Sequence, residues 1–300
     1  MEAISTTSDA RRSVNIRERL EAYAELTKPR IAVMLVLVSA AAFYVGSAGV
    51  FNLPLFLVSM SGIGLLAFGV AALNQWFERD TDLLMGRTAG RPLPARRITN
   101  AEALVIGLFL CAAAEMLFFF YVNTLTAVLG VVVIVGYVLL YTPLKTRTSA
   151  STAIGALPGA MPPLMGWTAA ANEITIVAWA LFALLFLWQF PHFLAIAWLY
   201  KEEYAKAGIV MLPVVDPEGR LTARQIVLFS VMMVPVSLAP FFFGIAGTIF
   251  LAGATVIGLI FLWESIKTAR ARTKAASRRL LLVTVMYLPI YFVFLVVNRN

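Results

Sequence analysis

Charge is what this chain has least of. Only 13% of its 300 residues are Asp, Glu, Lys or Arg, and 61% are hydrophobic, whereas soluble globular domains carry roughly 25% charged residues. Ordinary water-soluble classes are thereby excluded. The single cysteine, Cys111, permits neither an intrachain disulfide nor a thiolate metal cluster, and within an apolar run it reads as a packing residue. There is no short-period repeat, no low-complexity segment, and nothing that resembles a nucleic-acid module despite a net charge of +8. No short apolar segment with a cleavage site precedes the first long run, and Glu2, Asp9, Glu18, Glu21 and Glu25 argue against an acid-poor transit peptide. A bacterial plasma (inner) membrane is the expected location.

What is present is length of apolar sequence. Runs of roughly 20 residues, enough to cross a bilayer core as a helix, fall near 31–50, 53–76, 103–121, 124–140, 154–171, 175–200, 226–244, 247–264 and 280–297. The expectation is an all-α, multi-pass membrane bundle of about nine transmembrane helices around a central cavity. Residues 1–28 form an amino-terminal arm and 29–300 the transmembrane domain. With nine spans, 23 of the 24 Lys and Arg fall on one side, and only Arg299 lies on the other. The positive-inside rule then puts the amino terminus in the cytoplasm. A missed or extra helix would scatter these charges to both faces. The excess positive charge also suits anionic lipid or a phosphorylated ligand.

Three constellations interrupt the apolar pattern. The first is Asn74-Gln75-Trp76-Phe77-Glu78-Arg79-Asp80-Thr81-Asp82, at the cytoplasmic end of the second run. Helical spacing places Asn74, Glu78 and Asp82 at i, i+4 and i+8, on one stripe, and turns Asp80 away. Such a stripe of oxygens suits a hard cation such as Mg²⁺, which leaves positions for water and phosphate oxygens. Arg87, Arg91, Arg96 and Arg97 follow at once. A solvated helix end with a charge-paired loop is the plainer reading. A fainter echo, Tyr200-Lys201-Glu202-Glu203-Tyr204, follows the sixth run on the same side and suggests two halves around one cavity.

The second constellation runs from Tyr141-Thr-Pro-Leu-Lys145-Thr-Arg147 through Gly155, Pro158, Gly159, Pro162, Pro163 and Gly166. Lys145 and Arg147 sit where an ammonium and a guanidinium can hold phosphate oxygens, or where they simply anchor the topology. Backbone broken by so many prolines and glycines is tolerated at membrane depth only when buried in protein or lining a cavity. The third is Trp188-Gln-Phe-Pro-His192-Phe193, with the chain's only histidine inside the sixth run. An imidazole at that depth is a site candidate and a common iron ligand. A histidine bonded to a neighbouring helix is the simpler alternative.

Taken together these stretches resemble the UbiA-type intramembrane prenyltransferases, and more narrowly the protohaem IX farnesyltransferase (haem O synthase) branch. The resemblance rests on Leu26-Thr-Lys-Pro-Arg-Ile31, on Asn74 to Asp82 running into Leu83-Leu-Met-Gly-Arg-Thr-Ala-Gly-Arg-Pro-Leu-Pro94, and on Tyr141-Thr-Pro-Leu-Lys145. It continues in Gly155 to Trp167, Trp188 to Phe193, and Glu203-Tyr204 through Met211-Leu-Pro213. Pro191-His192-Phe193 and the Arg87-Thr88 and Arg91-Pro-Leu93 elements favour the haem branch over the quinone branch. Glu78 stands where aspartate is usual, Ser151 where asparagine is common, and Glu203 where aspartate is common, so a second metal is left open.

The resemblance implies Mg²⁺-dependent transfer of a farnesyl group from farnesyl diphosphate to the 2-vinyl group of haem B, giving haem O. Asn74, Glu78 and Asp82 would hold the metal, and with Lys145 would be the catalytic set. Arg79, Arg87, Arg91, Arg147, His192, Glu203 and Tyr204 would bind substrate. The implied partners are farnesyl diphosphate, haem B and the lipid bilayer, with a haem A synthase as a partner enzyme. Two alternatives stay open: an aromatic, quinone-precursor or chlorin acceptor for the same donor, and a haem-binding or transport protein, where broken helices also occur.

Overall fold

The computed structural model describes residues 16–300; Glu2, Asp9, Arg11 and Arg12, which enter the charge reading above, lie outside the described residues. Among the described residues every regular element is helical. A surface helix α1 (Ile16–Thr27) leads into α2 (Pro29–Gly46) and the long α3 (Leu53–Asp82), followed by α4 (Asn100–Leu117) and α5 (Thr124–Ile134). Then come α6 (Ser151–Gly159), α7 (Met161–Ala171), α8 (Ile176–Leu199) and the short α9 (Lys201–Lys206). The last three are α10 (Arg220–Ser237), α11 (Thr248–Ala271) and α12 (Lys274–Val297). Among the described residues, eight helices are long and apolar enough to cross a membrane. The ninth expected span is α6 and α7 end to end, broken at Ala160.

The break follows from the prolines. Pro158 sits inside α6, and Pro162 and Pro163 open α7, so successive amide donors are missing where α6 would continue. Side chains from flanking helices occupy carbonyls on both sides of it. Ser39 Oγ of α2 donates to the Pro162 carbonyl at 2.8 Å, and Gln189 Nε2 of α8 donates to the Ala156 carbonyl at 3.0 Å. The broken span is therefore buried in protein, with α7 packed against α2, α3, α5 and α8.

The surrounding helices close into a ring. α2 packs on α3, α3 on α4, α8 on α10 and α12, α10 on α11, α11 on α12, and α12 returns to α2. The crossing of α3 and α4 is tight because Gly69 has no side chain: a Cβ there would come within 2.6 Å of Cys111 Sγ. That contact gives Cys111 the packing role expected of it. The basic loops gather at one end of the ring, where Lys274 pairs with Glu202 at 2.9 Å and Arg272 donates to the Glu218 carbonyl at 3.2 Å. Arg299 lies at the other end, against the Tyr44 carbonyl.

Candidate active site

The last two turns of α3 carry the acidic stripe to the basic end of the ring, and the structure brings Asn74, Glu78 and Asp82 together. Asn74 and Asp82 are buried, at 2% and 1% exposure. Each member faces a cation. Lys145 Nζ donates to Glu78 Oε1 at 2.5 Å, Arg91 Nη1 is 2.7 Å from Asp82 Oδ2 and 4.0 Å from Glu78 Oε2, and Lys28 Nζ reaches Asn74 Oδ1 at 3.4 Å. Two carboxylates thus stand among three cationic heads. Asp80 points away, exposed and paired with Arg79 at 3.5 Å.

The amide orientation of Asn74 is set by its neighbours. Its Nδ2 donates to Thr142 Oγ1 at 3.1 Å, and that hydroxyl in turn donates to the Tyr137 carbonyl at 2.8 Å. The Tyr137 carbonyl also accepts the Thr142 backbone N–H, the bond that closes the wider π-helical turn of Val135–Tyr141, a distortion common at functional sites. With Nδ2 committed, Oδ1 is the atom presented to Lys28. The same π turn sets Tyr141, whose ring lies 4.3 Å from the Lys145 ammonium.

Lys145 lies just beyond its span. Burial works against its charge, but Glu78 and the rings of Tyr141 and Tyr137 outweigh that and hold its pKa well above the ordinary lysine value. Lys28 goes the other way: burial and the neighbouring Arg91 press its ammonium down to about 8. The sequence reading missed Lys28 as a site residue. Its only pointer was the Thr27-Lys28-Pro29 step, where Pro29 marks the start of α2; Lys28 itself is in the left-handed conformation at φ 51°. A non-glycine residue there is uncommon and is held by its surroundings. Thr142, Tyr137 and Tyr141 were also missed as supports.

The remaining candidates divide. Arg87, Glu203 and Tyr204 contact one another: Glu203 Oε2 accepts the Arg87 backbone N–H at 3.0 Å, and Arg87 Nη2 donates to the Tyr204 hydroxyl at 3.2 Å. The Arg87 guanidinium also lies 4.6 Å over the Tyr200 ring. These contacts clasp the loop after α3 to α9. Arg79 folds back on its own helix, onto the Trp76 carbonyl at 2.8 Å. Arg147 is exposed. His192 lies on α8 facing α12, with Nδ1 2.8 Å from Thr284 Oγ1 and its ring stacked on Trp188 at 4.6 Å.

The donor set of the stripe, two carboxylates and an amide oxygen, has the chemistry that Mg²⁺ accepts. Among the described residues no group of three or more His, Cys, Asp or Glu could hold a metal, so the stripe offers a partial shell of the kind that substrate oxygens complete.

Known proteins place this architecture. Residues 34–294 match the model of the UbiA prenyltransferase family. A protoheme IX farnesyltransferase of Solibacter usitatus is 46% identical over 286 residues, covering 92% of this chain and 98% of its own. That of Koribacter versatilis is 40% identical, covering 94% of each. Among solved structures, a digeranylgeranylglyceryl phosphate synthase superposes with a TM-score of 0.79 at 17% identity, covering 94% of this chain and 98% of that one. A UbiA homologue from Archaeoglobus fulgidus bound to GPP and Mg²⁺ superposes at 0.64 and 17% identity, covering 92% and 99%. Its helical ring, its split span and these matches along nearly its whole length make this chain a member of the UbiA prenyltransferase family.

Proposed function

We propose that this protein transfers the farnesyl group of farnesyl diphosphate to the 2-vinyl group of haem B, giving haem O, in a bacterial plasma membrane. The observation that carries the donor half is the charge balance at the end of α3. Lys28, Arg91 and Lys145 outnumber Glu78 and Asp82 in a partly buried cluster, and uncompensated charge in such a place is costly. A polyanion with its metal restores the balance. The relatives named protoheme IX farnesyltransferase support the same reading.

In this reading Asn74, Glu78 and Asp82 hold Mg²⁺. The metal, when bound, neutralises charge on the diphosphate and makes it a better leaving group. Lys145, Arg91 and Lys28 hold the phosphate oxygens, and their attraction strengthens as the C–O bond breaks and the electron pair goes to diphosphate. The farnesyl carbon so exposed is attacked by the vinyl π electrons. Water then adds to the carbon left cationic on the haem side chain, and loss of a proton leaves the hydroxyl. Apolar walls must keep water from the allylic cation until the carbon–carbon bond has formed.

The acceptor half rests on His192. The Thr284 hydroxyl donates its one proton to the Leu281 carbonyl at 2.7 Å, so it accepts from His192 Nδ1–H. That fixes the tautomer and leaves the Nε2 lone pair free to meet haem iron, as ring nitrogens oriented by a partner do at metal centres. Incubating the purified protein in membranes with haem B, farnesyl diphosphate and Mg²⁺ should give a product with the mass of haem B plus a farnesyl group and a hydroxyl group. Prenylation of 4-hydroxybenzoate with haem B left unchanged would overturn the haem assignment in favour of an aromatic acceptor.

A further inference from the structure

The last two spans meet at a basic groove that prenyl transfer does not use. Between the end of α11 and the start of α12 lies a hollow of about 460 Å³, whose charged lining is Glu264, Lys267, Arg270 and Arg279. Lys267 is 3.0 Å from Glu264. The Arg270 and Arg279 side chains make no ion pair or hydrogen bond with another described residue. Ala271, Ala275 and Ala276 line the same hollow and leave it open. Two unpaired guanidinium forks around a space floored by small side chains match the oxygens of a phosphate.

A second, independent observation lies further along the same seam. Glu264 and Lys267 continue a helical stripe that runs back through Ile260 and Val256 at three- and four-residue spacing. Val256 and Ile260 are exposed on the outside of the ring. From Lys267 back to Val256 the helix rises about 16 Å, roughly half of the ~30 Å hydrocarbon core and so the depth of one leaflet. Trp263, 57% exposed and 5.3 Å from the Lys267 ammonium, stands at the level where tryptophans sit against headgroups.

We propose that the α11–α12 seam is a binding site for one anionic glycerophospholipid of the cytoplasmic leaflet, its phosphate between Arg270 and Arg279 and an acyl chain along the Ile260–Val256 stripe. The apolar continuation is what commits the site to a lipid over a free phosphate. The test uses the full-length protein in detergent, titrated with dioctanoyl phosphatidylglycerol, dioctanoyl phosphatidylcholine or inorganic phosphate, and read by native mass spectrometry and thermal unfolding. Phosphatidylglycerol should be retained and should raise the unfolding temperature, whereas phosphatidylcholine and inorganic phosphate should not. R270Q/R279Q should weaken phosphatidylglycerol binding at least tenfold. R224Q/R278Q removes the same charge from the same end of the bundle, outside the groove, and should retain binding. Ala275→Trp fills the hollow without changing charge and should also lose it, which covers the case of a misfolded arginine variant. Equal weakening in the two double variants would overturn the proposal in favour of diffuse charge attraction, and an equal response to inorganic phosphate would overturn it in favour of a free-anion site. No readout depends on turnover, so failure here is separable from failure of the proposed reaction.

Discussion

Asp82 is 1% exposed and lies 2.7 Å from Arg91, whereas Asp80, two residues earlier, is 81% exposed and meets only Arg79. Removing one member of a buried ion pair leaves its partner's charge uncompensated, at a cost of about 3–5 kcal/mol, while exposed pairs contribute ~1 kcal/mol or less. Asp82→Ala is therefore expected to lower turnover by at least ~100-fold, and Asp80→Ala to stay within about twofold. Steady-state kinetics on both variants decides the point, and equal losses would sink the stripe assignment. The two basic candidates of the next loop separate in the same way. Lys145 touches Glu78, but Arg147 points into solvent. Lys145→Ala should raise KM for farnesyl diphosphate and lower kcat, by about 100-fold in kcat/KM as for the loss of one transition-state donor. Arg147→Ala should shift KM only slightly. Unchanged kinetics in Lys145→Ala would reduce that residue to a topological anchor.

Helices position these residues through their irregularities. Gly155 of α6 faces Tyr141, and a Cβ there would come within 2.4 Å of the ring. Tyr141 in turn contacts Lys145, so Gly155→Ala should cost about 1–3 kcal/mol of stability by overpacking and lower activity with it. Gly90→Ala, with nothing within 4 Å of the added carbon, is the matched control, and equal unfolding temperatures for the two variants would refute the argument. A second element-level test concerns Asp216, whose Oδ2 accepts from the Thr222 N–H at 2.8 Å and hydroxyl at 2.9 Å near the start of α10. Burial opposes its charge, but these hydrogen bonds prevail and hold its pKa below the ordinary 3.8. A carboxylate with a depressed native pKa stabilises the fold above its unfolded value and loses that contribution as pH falls through the native one. Asp216→Asn should thus cost about 1 kcal/mol at pH 7, with the gap to wild type narrowing below pH ~4. A gap that stays constant down to pH ~2 would exclude this contribution of the Asp216 carboxylate. The prolines made the broken span legible in the sequence, because missing N–H donors act locally. The π turn at Val135–Tyr141 was not legible, since one extra residue in a turn leaves an all-apolar run looking the same, and the left-handed Lys28 was hidden for the same kind of reason: its conformation depends on what α1 and α3 pack around it.

Across the whole bundle, the two proposed halves of the site are held on separate helices. The acidic stripe belongs to α3 and is supported from the junction of α1 and α2 and from the turn after α5, whereas His192 belongs to α8 and is oriented by Thr284 of α12. Hydrophobic runs and the one-sided distribution of Lys and Arg were enough to read this helical ring, and the i, i+4, i+8 spacing was enough to assemble the stripe. Which side of α8 carries His192 could not be read, because that helix is apolar around nearly its whole circumference and offers no polar face to orient it. Separate supports have a functional consequence. His192→Ala should leave Mg²⁺-dependent binding of farnesyl diphosphate within about twofold of wild type, since no residue of the stripe contacts the ring and distant sites combine nearly independently. Haem binding should fall, and the ferric haem spectrum should shift if Nε2 ligates the iron. Thr284→Val removes the acceptor for Nδ1–H while keeping much of the side-chain volume. It should reproduce part of the spectral change by freeing the tautomer, which a ring that merely fills space would not do. Wild-type haem affinity, spectrum and farnesylation in both variants would make His192 a packing residue and would remove the structural argument for a haem acceptor, leaving the diphosphate half of the site intact.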